Sequence, residues 1–429
     1  MKPEMDRAGM VSENPQKVFL FVEKYRNPIV HGCAFFFLIA GLIYSYSLGD
    51  NLRYPDAQKY YAVAVNVASG NGYSVDGVNP TAFFVPVWPL VLAFFIKLGV
   101  PIWGLRYLNF IFLAACVYII RSILRRNQAE AGAPIAAVLL IGYGVLFYTA
   151  GTLYTQTLAT MEILLIVRLV IGQPFGYGRA VALGGLSALL ILTHPSGVFI
   201  PPLVVFWLLL PKNFHLLRKT VISALVAVLL ISIWSYRNYT AFDRFIPITS
   251  HGADTLYFGN NPDISLDAWY TYFYEDEYKE VQKLPEAEKN SYYLHKTLEF
   301  WKEQPGVAIK LYLTKLVDYF NFYDHLYVKQ EFSLTRRVIM FVTYYPLLLC
   351  LILRLFSACR VSLSKTEKLL TAVYIVSALF YALFLPRIRF RLPFDAVLIT
   401  HIGIMYSLLR SSLLADSSKG APKKEQLGR

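Results

Sequence analysis

Charge is scarce in this sequence: acidic and basic residues together make up 16% of its 429 residues, where a soluble domain of ordinary composition carries about 25%. That deficit points to lipid as part of the solvent. Cysteine is scarcer still, with Cys33, Cys116, Cys350 and Cys359 its only representatives. All four lie in or beside long apolar runs without metal-ligand spacing, so they read as structural thiols, and a disulfide framework is not indicated. No Walker-type loop and no dinucleotide glycine motif occurs, which leaves ATP-driven transport without support. There is no internal repeat, and low complexity is confined to the polar C-terminal tail.

What is present is apolar. Hydrophobic residues reach 56%, and they come in blocks nearly free of charge at 29–48, 133–149, 196–210, 218–236, 335–353, 369–386 and 392–409. About 20 apolar residues cross the hydrocarbon core as a helix, and only a helix satisfies its own backbone there as a single segment. The fold class is therefore an all-α, polytopic transmembrane bundle, with roughly 10–12 helices expected at that length per span.

The net charge of +13 does not indicate nucleic acid, because of where the cations stand. Arg121, Arg125 and Arg126; Lys212, Arg218 and Lys219; and Arg354, Arg360, Lys365 and Lys368 flank apolar blocks, and Lys419, Lys423 and Lys424 mark the tail. This is the positive-inside pattern, with some attraction to anionic membrane lipids. It places residues 1–28 in the cytoplasm, a transmembrane domain over 29–411 and a cytoplasmic tail at 412–429. The polar start argues against a cleaved signal peptide. Spans are expected at 29–48, 103–121, 133–150, 153–171, 180–193, 196–210, 218–236, 335–356, 366–386 and 392–411, with outer loops at 49–81 and 237–333. The block 82–98 is apolar enough to span, yet a span there, with every later one kept, would put the two loops on opposite faces. Pro86 and Pro89 favour a bent segment near the surface, and the region around His194-Pro195 is the other place where one span could be broken.

The chemistry collects in those loops. Asp56 follows Pro55 and opens a stretch, 56–69, with one apolar face, which reads as a helix along the membrane surface. A carboxylate at the water–lipid boundary is a candidate base; helix capping is the plainer alternative. Asp50 is a weaker candidate of the same type. Arg237, in WSYRNYTAFDRFIPITSHGADTLYFGNNPD, stands at an outer helix end against the charge bias, either snorkelling or gripping a phosphate. Gly259 to Pro262 reads as a turn. Arg387, Arg389 and Arg391 crowd a second outer helix end in PRIRFRLPFD, where three cations favour anion binding. His194 lines a cavity or bonds within a helix break, Gln156 and Glu162 face the bundle interior, and Glu275, Asp276 and Glu277 read as a solvated surface, with a metal site kept open.

At these residues the chain resembles the GT-C superfamily of membrane glycosyltransferases, and within it the bacterial branch of aminoarabinose transferases and protein O-mannosyltransferases. PDAQKYYAVAVNVASGNGYS followed by PTAFFVPVWPLVLAFFIKLG is similar to the family's first loop; the Trp-x-x-Arg-Asn segment ending in Gly-Asn-x-Pro, and RIRFRLPFD, match in order along most of the chain. The sequence departs from the family at Gln156, where an acid is usual, at His194, where an arginine is usual, and in having a single first-loop acid. The resemblance implies an inverting transferase at the outer face of a bacterial inner membrane. Asp56 would be the general base, and Arg237, Arg387, Arg389 and Arg391 would hold the phosphate of a polyprenyl-phosphate sugar donor. Tyr60, His251 and Asn260 would contact the sugar or the acceptor, which would be a glycan, lipid or protein. No cofactor is firmly implied, and a divalent metal stays open. The competing readings are a transporter or lipid flippase, which would want midplane charges and repeat symmetry, and a membrane scaffold without activity.

Overall fold

A computed structural model describes residues 15–172, 174–210, 213–261, 276–323, 334–385 and 387–419. Among these residues the regular structure is helical, apart from one isolated bridge between Ser74 and Pro80. Five helices are long and apolar enough to cross a membrane: Arg26–Ser47, Ile102–Arg126, Phe214–Phe242, Arg337–Cys359 and Ile388–Leu414. A sixth span results if Glu130–Gly142 and Gly144–Ala150, bent by 62° at Tyr143, count as one. The protein is an integral membrane protein.

The other expected spans are helices of the same bundle but shorter: Gln156–Val170, Tyr177–Thr193, Ile200–Leu209 and Lys365–Tyr381. At 1.5 Å per residue, their 10 to 17 residues cover about 15–26 Å, short of the roughly 30 Å hydrocarbon core. One break has a plain cause. His194 precedes Pro195, whose ring disfavours a helical predecessor; its backbone is extended (φ −147°, ψ 94°), and a 3-10 turn, Pro195–Phe199, separates the flanking helices.

The segment 82–98 does not cross. Its helix is only Val87–Lys97, and it lies against the first-loop helix Pro55–Ala68 through Trp88, Leu92 and Ala93 on Ala57 and Ala64. The Trp88 indole donates to the carbonyl of Leu153 at 2.8 Å. Without a crossing here, both loops fall at one end of the bundle, and hydrogen bonds join them. Ser250 N–H donates to the Ala82 carbonyl (3.1 Å), and the Thr249 hydroxyl donates to the Phe83 carbonyl (2.7 Å).

Burial separates the middle of the bundle from its flank. The most apolar stretch of Ile388–Leu414 is 78% buried, against 22% for Phe214–Phe242. The central helix reaches its position partly through a glycine: a Cβ on Gly132 would stand 1.8 Å from the carbonyl oxygen of Gly403, the close backbone approach that small residues permit between membrane helices. At the end carrying the basic runs, Arg354 and Glu367 form a buried ion pair of 2.8 Å, and Glu367 closes a capping box with Ser364 at the start of Lys365–Tyr381.

Candidate active site

The site begins with a helix start. Pro55 is the first residue of Pro55–Ala68, where its missing N–H is harmless, and Asp56 therefore sits in the first turn, favoured by the positive end of the helix dipole. Its Oδ2 lies 2.8 Å from Nη1 of Arg389 at the start of the central helix. Burial opposes charge on Asp56, but the Arg389 guanidinium overrides it, with smaller help from His251 and Arg387, and holds the carboxyl below the usual carboxylate range. Both groups stay half-exposed, facing a cavity of about 380 Å3.

One turn after Asp56, Tyr60 lines the same cavity, its ring 4.3 Å from that of Phe84. Burial pushes its hydroxyl up, so it remains a neutral phenol. The helix break supplies His194, whose Nδ1 meets the Thr155 hydroxyl and whose Nε2 meets the Tyr381 hydroxyl, both at 3.1 Å. Gln156 follows Thr155 as the first residue of its helix. The second loop contributes Thr249, Thr255 and His251; the imidazole stacks on Phe83 at 3.9 Å and pairs with Asp254. Val85, Val198, Pro247, Phe380 and Phe384 complete the lining with apolar surface. Two buried polar atoms of the lining have no hydrogen-bond partner among the described residues: Nε of Arg389 and Oε1 of Gln156.

Four of the eight residues that the resemblance assigned to the site thus line one cavity: Asp56, Tyr60, His251 and Arg389. Arg387 stands just before the central helix, and its charge is felt by Asp56. The other three lie elsewhere. Arg237 donates to the carbonyls of Thr81 (2.7 Å) and Tyr73 (3.0 Å) and faces the rings of Tyr73 and Trp234. The local reason for a cation at that helix end is a backbone clamp on the first loop. Arg391 is buried, bonded to Asp395 and to the carbonyls of Tyr319 (2.7 Å) and Asn321 (2.5 Å), and its guanidinium lies 3.5 Å from the Tyr344 ring centre. Asn260 is also buried. Its amide donates to the carbonyls of Leu256 and Leu383, and its oxygen accepts from Lys315 and Trp301. It fixes the Gly259 turn, while Pro262 and Asp263 lie outside the described residues.

Sequence reasoning did not single out Glu286. This first residue of Glu286–Glu303 accepts from the Ala82 N–H (2.7 Å), the Thr81 hydroxyl (2.9 Å) and the Ser250 hydroxyl (2.5 Å), joining both loops beside the cavity. Nothing in the sequence near Glu286 marks that role. For the acidic run, Asp276 pairs with Lys279 and Glu277 accepts from Tyr292, while Glu275 lies outside the described residues. Among the described residues no group of three His, Cys, Asp or Glu is placed to hold a metal ion.

No family model and no curated protein matches the chain. Among solved structures, it is similar to the archaeal oligosaccharyltransferase AglB from Archaeoglobus fulgidus, in complex with an inhibitory peptide and a dolichol-phosphate. The identity is 14% and the TM-score 0.51, over 92% of this chain and 52% of that one. The chain therefore spans about half the length of the archaeal protein. It is also similar to ArnT from Cupriavidus metallidurans, bound to undecaprenyl phosphate (12% identity, TM-score 0.46, 92% of this chain and 81% of that one). The apo form gives 12% identity and a TM-score of 0.41, over 91% and 81%. At 14% identity the likeness to the archaeal structure is one of fold alone, a helical bundle of the GT-C type.

Proposed function

We propose that the chain is a glycosyltransferase that moves a sugar from a polyprenyl-phosphate donor to an acceptor hydroxyl at the outer face of the membrane. The observation that carries this reading is the 2.8 Å contact between Asp56 and Arg389 in a cavity that is part polar and part apolar. A base and an anion-binding group 333 positions apart in sequence share one space. That space suits a molecule with a lipid tail, a phosphate and a sugar. Support for the lipid-phosphate donor also comes from the archaeal relative of the fold, whose structure holds a dolichol-phosphate.

In the reaction the acceptor oxygen attacks the anomeric carbon as the bond from that carbon to the phosphate oxygen breaks, inverting the centre. Asp56 takes the acceptor proton, and the electron pair of the broken bond stays on the phosphate. Arg389 offers that phosphate its unpaired Nε–H, with the Arg387 charge nearby. Once phosphate engages Arg389, the guanidinium no longer belongs to Asp56 alone. The carboxyl then rises toward an ordinary pKa and becomes a better base when donor is bound. A monophosphate held by guanidinium groups does not require a divalent ion for its charge. Arg237 and Arg391 act as positioning residues, the first on the loop that carries Tyr73 to Val85, the second on the helix that carries Arg389.

The test is covalent transfer. Detergent-purified protein, given a radiolabelled polyprenyl-phosphate hexose and a mixture of membrane-derived glycan, lipid and peptide acceptors, is expected to yield labelled product. Recovery of all the label as intact donor from every acceptor mixture would overturn the reading.

A further inference from the structure

Gln156 is 4% exposed, lines the cavity, and makes no side-chain hydrogen bond to any described residue. Its backbone is engaged, its carbonyl accepting from Thr160 at 2.7 Å, but the amide is left with a donor and an acceptor unused. Because amide oxygen and nitrogen exchange places on a half-turn, one polar end stays unpaired whichever way the group is set. A buried polar group without a partner is unfavourable unless something else occupies it.

The neighbouring groups are engaged. His194 has both ring nitrogens in contact with hydroxyls, His251 pairs with Asp254, and Thr249 donates to Phe83. Charge in the lining is balanced in the same way: its carboxylate, Asp56, is paired with its guanidinium, Arg389. An ammonium on the sugar would find only Asp56, the carboxylate that has to stay free to take the acceptor proton. A carboxylate on the sugar would compete with the phosphate for Arg389 and face Asp56. A hydroxyl group, which both donates and accepts, matches the Gln156 amide without adding charge.

We propose that Gln156 contacts a sugar hydroxyl and that the donor carries a neutral hexose or pentose, without amino or carboxyl substituents. This rests on the lipid-linked-sugar reading of the cavity. The test compares three donors built on the same polyprenyl phosphate: a hexose, its amino-sugar analogue and its uronic acid. The neutral donor is expected to exceed both others in kcat/KM by at least about tenfold. Gln156→Ala should lower kcat/KM for the neutral donor by about 10- to 100-fold, as for a lost hydrogen bond in a buried site. Gln156→Glu should shift the ratio of amino sugar to neutral sugar upward by at least about tenfold. The donor ratios are taken within one preparation, so a partly unfolded variant does not disturb them; the Gln156→Ala value is taken per folded protein, counted from the melting transition. Equal or better use of a charged sugar by the unaltered protein overturns the proposal, as does an unaltered neutral-donor kcat/KM in Gln156→Ala together with an unaltered donor ratio in Gln156→Glu. Failure of all three donors to be turned over, or to raise the protein's thermal stability, would instead remove the lipid-linked reading and this proposal with it.

Discussion

Two arginines of the same short motif meet opposite fates. Arg389 reaches a carboxylate on a distant loop helix, stays half-exposed beside a cavity, and keeps a buried Nε–H without a partner among the described residues. Arg391 turns the other way, into the core. There it meets Asp395 one helical turn on, two backbone carbonyls and the face of Tyr344, while Tyr143 donates its hydroxyl to Asp395 at 2.5 Å. The first pair is left incomplete beside a cavity, where a ligand can finish it; the second is closed off in the core, where Oδ1 of Asp395 accepts no hydrogen bond from any described residue and keeps only its 3.2 Å ion-pair contact with Arg391. The difference separates a candidate binding group from a structural one better than residue type or sequence position does.

That contrast can be broken most forcefully at Arg391. Arg391→Ala leaves Asp395 buried without its counter-charge and is expected to lower stability by about 3–5 kcal/mol, read as a large drop in the detergent melting temperature. Unaltered melting would mean that the pair is not the structural one. At Arg389 the expected effect falls on function. Arg389→Ala should lower kcat/KM by about 10²-fold, mainly through donor affinity, with a smaller change in melting temperature; normal donor affinity would erase the distinction. Next comes Glu286→Gln, which keeps shape but weakens three charge-assisted acceptor contacts between the loops. It should loosen the cavity wall by about 1–2 kcal/mol, seen as faster amide exchange at Thr81 to Phe83. Exchange there at the unaltered rate would show that the loops are held by other bonds.

The smallest effect is in the pH profile, and it sharpens the comparison. Asp56 is held below its ordinary value of 3.8 in the free protein, so its charge persists above that pH and is lost only as pH falls through the lowered value. The acid limb of kcat/KM, which reports free enzyme, should lie below pH 3.8. The limb of kcat, which reports the donor complex, should lie higher, because phosphate shares Arg389. Coincident limbs would mean that the phosphate does not draw Arg389 from Asp56.

Several of these features were legible in the sequence. Long uncharged blocks specify a membrane bundle, the charge bias puts both loops at one end, and Pro55-Asp56 reads as the start of a surface helix. The division of the RIRFR motif was not drawn from the sequence, although a physical signal for it exists. Two residues apart on a helix means about 200° around the axis, so Arg389 and Arg391 cannot face one ligand once the helix begins at Ile388. Arg237 was readable as a cation needing a local reason, but not which reason, since besides the neighbouring Asn238 its acceptors are carbonyls more than 150 positions away. Pro86, Pro89 and the sidedness of the loops already favoured a surface segment at 82–98, and the short helix Val87–Lys97 with its packing on the first-loop helix agrees. Gln156 and His194 looked like interior polar groups. That they share a cavity with Asp56 depends on where the break at Pro195 turns the chain, and no local pattern encodes that direction.

The central claim concerns Asp56, and one preparation tests it. Asp56→Asn keeps size and helix position while removing the base, so transfer from a polyprenyl-phosphate hexose should fall by about 10²- to 10⁴-fold while donor still raises the melting temperature as it does in the unaltered protein. Transfer at the unaltered rate by a folded Asp56→Asn variant would contradict the account.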